Sequence, residues 1–94
     1  LGCAFKALSE TKKKELALNA GVEVAGIKAG KFKDAGIKDG FIIVEINDTR
    51  VASVDDVEAI YNSIMRSADS DKVMFVTGIY PTGKRAYYAV DLSE

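Results

Sequence analysis

Ala35-Gly36-Ile37-Lys38-Asp39-Gly40-Phe41-Ile42-Ile43-Val44-Glu45-Ile46-Asn47-Asp48 is the stretch that decides the fold. Its glycines, Gly36 and Gly40, punctuate a tight turn, because glycine takes φ > 0 without steric cost. The turn feeds a continuous apolar run, Phe41 to Val44, extended by Glu45-Ile46. Strands covered on both faces read this way. Asn47-Asp48 turns the chain again, and Ser53-Val54-Asp55-Asp56 opens a helix. Ser53 and Asp56 form a capping box there, while Asp55 and Glu58 suit the positive end of the helix dipole and Arg66 the other end. Val54, Val57, Ile60, Tyr61, Ile64 and Met65 then recur at the helical period.

Outward from that centre the signals are shorter. Leu1 to Leu8 alternates in part, with Cys3 and Phe5 inward, and predicts a half-buried strand. Ser9 caps a short helix through about Leu16, which ends near Asn19-Ala20-Gly21. Gly21 to Ile27 alternates again, with Val22 and Val24 on one face. Residues 28–40 are rich in Gly, Lys and Asp, with Phe32 and Ile37 as anchors and a one-turn helix around Phe32 to Ala35. Lys72 to Tyr80 and Lys84 to Leu92 predict two strands joined by a Pro81-Thr82-Gly83 hairpin loop. Cross-strand aromatic packing accounts for Tyr80, Tyr87 and Tyr88. Five to six short strands and two helices predict a mostly β, α+β fold, a small sheet or partial barrel capped by helices. One domain is expected over residues 1–94.

Composition removes several classes of function. The 13 basic and 14 acidic side chains balance, so no nucleic-acid partner is expected. Lys12-Lys13-Lys14 reads as a solvated helix face. With no histidine, neither a Ser/His/Asp nor a Cys/His catalytic arrangement assembles within the chain. Cys3 is the single cysteine, which rules out an internal disulfide and a CxxC zinc site. No metal or cofactor is expected. No apolar run approaches the roughly 18–20 residues of a membrane span. The chain starts at Leu1 rather than Met, so the expectation is a piece of a longer protein with any targeting segment upstream.

The order of elements, from Leu1-Gly2 to Asp91-Leu92, resembles a PDZ domain of the bacterial HtrA/Deg-type serine proteases, specifically the last such domain, in circularly permuted topology. The Ala35 to Asn47 turn and strand, Val51 and the Ser53 helix carry most of the likeness. The resemblance implies binding by β-strand addition: a peptide pairs with the edge of the first strand, and side-chain pockets select it. It places the receiving loop and strand at Leu1, Gly2, Cys3, Ala4 and Phe5, with Gly2 letting backbone N–H groups converge on a terminal carboxylate. It places the other wall on the helix, at Val57 and Tyr61 with Ile60 and Ile64. Small residues at Cys3-Ala4 predict a shallow pocket. The implied partners are C-terminal or unfolded peptide segments and other domains or subunits of a periplasmic protease, with no catalytic residue in this chain. Two alternatives stay open. One is a structural domain that sets oligomer assembly or interdomain packing without a working groove. The other is a PDZ domain from a different setting, such as a site-2-type protease or a secretion component.

Overall fold

Where the chain turns fixes the order of the sheet. The computed structural model describes residues 2–67 and 72–93. Its elements are β1 (Ala4–Ala7), α1 (Glu10–Glu15), β2 (Val22–Ala25), α2 (Lys31–Asp34), β3 (Ile42–Ile46), β4 (Thr49–Arg50), α3 (Val54–Met65), β5 (Val73–Ile79) and β6 (Arg85–Asp91). Neighbours in the sheet run β1-β2-β3-β5-β6, with β4 pairing on β3, and every pairing is antiparallel. The fold is mostly β, as the sequence predicts. The sheet is open rather than closed, so β1 and β6 are both edges.

Gly36 and Gly40 hold φ of 95° and 90°, the conformation that the turn requires. Asn47 and Asp48 follow with φ of 49° and 64°, and this left-handed pair folds the chain into the short strand β4, which the sequence reading shows only as a turn. The one-turn helix expected around Phe32 to Ala35 forms as α2, over Lys31–Asp34, beside two longer helices. Its Phe32 is fully buried and meets Phe5 of β1 edge-on at 5.7 Å. The same helix packs on β6, so it spans the mouth of the core between the two sheet edges.

The main core gathers Val22, Val24, Ile43, Ile46, Met74, Val76 and Val90 from the sheet, Val57 and Ile64 from α3, and Phe32 from α2. Burial of each such side chain contributes about 1.5–3 kcal/mol. Ile42 and Ile43 are both fully buried although adjacent. Ile42 lies outside the main cluster, where a Cβ on Gly21 would come within 2.9 Å of its Cγ2. The β3–β5 register shifts between Ile43 and Glu45, leaving Val44 as a bulge. The apolar run is thus covered on both faces as expected.

Polar groups tie the ends of the elements. The Asp56 amide donates to Ser53 Oγ at 3.2 Å while Asp56 Oδ2 accepts from the Ser53 amide at 3.2 Å and the Ala52 amide at 2.8 Å. The capping box is complete. Lys12 is more than a solvated cation: its Nζ donates to Glu23 Oε1 at 2.6 Å and pins α1 to β2. At the hairpin, Tyr80 and Tyr88 share a hydroxyl hydrogen bond of 2.6 Å, and Phe41 packs on both rings. Tyr87 does not join them, being 77% exposed on the opposite face of β6.

A Cβ at Gly78 would sit inside the Ile42 carbonyl oxygen and 2.7 Å from Phe41 Cζ. Gly78→Ala therefore forces β5 off β3 and costs about 1–3 kcal/mol or more, read as a lowered urea midpoint with unchanged slope. Burial, followed by the Tyr80 hydrogen bond, pushes the Tyr88 phenol up to about 12 from 10. Because the folded value is the higher one, this contribution to stability is complete below pH 10 and is lost as pH rises toward 12. Tyr88→Phe flattens that part of the stability–pH curve, measured by thermal midpoints from neutral to alkaline pH.

Candidate functional site

An antiparallel strand alternates its backbone groups between two neighbours. In β2, Val24 is committed to the β3 side, since its amide donates to the Phe41 carbonyl at 2.8 Å and its carbonyl accepts from Gly40 at 2.9 Å. Glu23 and Ala25 therefore face β1, opposite Lys6 and Ala4. The intervening β1 residues, Phe5 and Ala7, turn their N–H and C=O groups outward. This edge strand is built from the sequence predicted for it, although it is shorter, covering Ala4–Ala7.

Between β1 and α3 lies a cleft of about 190 Å³ lined by Cys3, Phe5, Val57, Glu58 and Tyr61. Val57 is buried at its base, Cys3, Phe5 and Tyr61 are half-buried, and Glu58 is exposed at the rim. Val57 and Tyr61 are four apart and Glu58 and Tyr61 three apart, so one helix face supplies all three. The volume falls below the roughly 300–1,000 Å³ of a small-molecule pocket, in keeping with the small side chains at the start of the strand.

The remaining predicted residues fall outside the lining. Gly2 holds φ of 81°, and its carbonyl accepts from the Lys28 amide at 2.7 Å. A Cβ there would come within 2.9 Å of the Ala29 carbonyl oxygen, so glycine lets the loop lie against residues 28–30. Ala4 is exposed, Ile60 is half-buried against the core, and Ile64 is a core residue. Leu1 lies outside the described residues. Glu58 is the lining residue that the sequence reading left out of the site, having assigned it to the helix dipole. Its spacing from Tyr61 was the available signal. Among the described residues it makes no ion pair.

What the cleft offers is apolar surface, an open strand edge and a carboxylate at one rim. Burial pushes the Cys3 thiol up from its ordinary value, which keeps it protonated near neutral pH. Among the described residues no group of three or more His, Cys, Asp and Glu stands close enough to hold a metal ion. No helix among them is long and apolar enough to cross a membrane. Two larger depressions, of about 270 and 290 Å³, lie side by side elsewhere and share Ala17, Leu18, Val44 and Glu45. Nothing in the sequence pattern announced them. No protein-family model matches the chain, and no curated protein matches it.

The protonated, half-buried Cys3 should react with a disulfide reagent such as DTNB more slowly than free cysteine at pH 7.5. Unfolding in urea should restore the ordinary rate. A rate in the folded state above that of the free amino acid would mean that the thiol is activated rather than buried.

Proposed function

We propose that this chain is a peptide-binding PDZ-type module, of the kind carried by HtrA-type periplasmic proteases, and that it captures apolar C-termini or unfolded segments by strand addition to β1. The observation that carries this reading is the coincidence of an open backbone edge at Phe5 and Ala7 with an apolar cleft between Cys3, Phe5, Val57 and Tyr61. A peptide residue that pairs with Phe5 turns its side chain to the same side as Phe5, toward the cleft. Backbone pairing then supplies affinity for any sequence, and the cleft selects among side chains. Tyr61 fits that role well, since its ring lines the cleft while its hydroxyl stays wet.

The reading assigns no chemistry to the chain itself. Its task is to hold a segment for, or relay its presence to, a catalytic domain of the parent protease. A modest site of this sort works near micromolar Kd, about −8 kcal/mol.

The test is an amide-shift NMR titration with a short peptide ending in apolar residues and a free carboxylate, with its C-terminally amidated form as control. Saturable shifts are expected at Gly2 to Phe5 and along Val57 to Tyr61, and amidation should weaken them. Tyr61→Ala should raise Kd about tenfold with the fold retained. Absence of shifts at millimolar peptide overturns the capture reading.

A further inference from the structure

The second edge of the sheet, β6, has a backbone and a charge pattern that complement themselves. Tyr80 N–H donates to the Lys84 carbonyl at 2.8 Å, and Leu92 N–H donates to the Lys72 carbonyl at 2.7 Å. The β5–β6 register runs without a shift from Val73↔Asp91 to Ile79↔Arg85. By strict alternation, Ala86, Tyr88 and Val90 are bonded to β5, and Arg85, Tyr87, Ala89 and Asp91 point their N–H and C=O groups away from it. Among the described residues none of these four makes a backbone bond to a loop or helix. Seven residues of regular, bulge-free edge are thus open, with no proline and no lysine to discourage pairing.

We propose that β6 pairs antiparallel with β6 of a second copy of this chain, about a two-fold axis at Tyr88. Only outward-facing residues exchange hydrogen bonds across such a pair, which restricts the register to alignments of Arg85, Tyr87, Ala89 and Asp91 with one another. Among these, the alignment centred on Tyr88 sets Arg85 against the partner's Asp91 and Asp91 against the partner's Arg85. The other alignments lose this reciprocal match. Arg85 makes no ion pair among the described residues, and Asp91 uses Oδ1 for Ser93, which leaves Oδ2 open. Lys31 and Asp34 of α2 and the following Ala35 flank this end of the strand across a cleft of about 220 Å³. Lys31 is turned to the Ser93 carbonyl at 2.8 Å, and the acidic pair Asp34 and Asp91 gives the spot a negative balance that suits an incoming guanidinium.

The exposed aromatics fit the same alignment. Phe75 is 60% and Tyr87 77% exposed, both on the outer face of the hairpin. Phe75 lies opposite Ala89 in the β5–β6 register. In the dimer Ala89 also lies opposite the partner's Tyr87. The two rings then close over a small alanine side chain in one cross-strand row, and symmetry repeats the row. The peptide-accepting edge β1 is at the far end of the sheet and stays open, so this pairing stands apart from the function proposed above.

The test is sedimentation equilibrium of the chain from micromolar to millimolar concentration, with reductant present to keep Cys3 from cross-linking. A monomer–dimer equilibrium is expected. Arg85→Glu and Asp91→Arg each place like charges opposite one another and should weaken it about tenfold or more. The double variant R85E/D91R restores the opposite-charge match and should recover dimerisation. Both positions are exposed, and circular dichroism with the thermal midpoint confirms that each variant folds. A protein that stays monomeric at millimolar concentration overturns the proposal. So does a dimer that ignores either single variant, or one that the double variant fails to restore.

Discussion

Between β3 and β5 there is no space for a side chain at position 78, and the molecule is organised around that contact. The Ile42 carbonyl and the Phe41 ring occupy the volume in which a Cβ would stand. The strand β5 pairs with β3 on one edge and with β6 on the other. Phe41 also packs on Tyr80 and Tyr88, so that the hairpin end and the turn end of the core share one aromatic cluster. The bulge at Val44 interrupts the same strand just after Ile42, which turns toward Gly21, and Ile43, which turns to the main core.

Much of this was legible in the sequence because each signal had a single physical cause. The spacing of Gly36 and Gly40 announced left-handed turn positions, and both hold them. Ser53 and Asp56 announced a capping box, which forms in full. Phe32 and Ile37 announced anchors inside a polar stretch, and both are buried. The strand β4 was hidden because Thr49–Arg50 is too short to show a period. The openness of the sheet was hidden too, since closure depends on how far the two edges diverge and not on any one residue. At the cleft, periodicity gave the apolar helix face but not its division: Ile64 turns to the core, while Val57, Glu58 and Tyr61 line the cleft. A helix of this length presents a broad apolar stripe, and only packing against β1 decides which part of it remains accessible.

The two sheet edges differ in kind. The strand β1 is four residues long and flanked by α3, which gives it a cleft of its own. The strand β6 is seven residues long, carries opposite charges at its two ends, and has aromatic side chains on its outer face.

Asn47 closes the sheet at its other limit in an economical way. Its amide donates to the Phe75 carbonyl at 2.9 Å, and its side-chain Oδ1 accepts from the Phe75 amide at 2.8 Å. A side chain therefore imitates the main-chain rung that β3 no longer provides once it turns away. The ladder ends on a satisfied pair instead of a loose amide, although the Phe75 ring itself stands in water. A terminus made in this manner acts as a selvedge: fraying that begins at the outer face has no unpaired rung from which to start, and the tight turn at Asn47-Asp48 is held by the very strand that it releases.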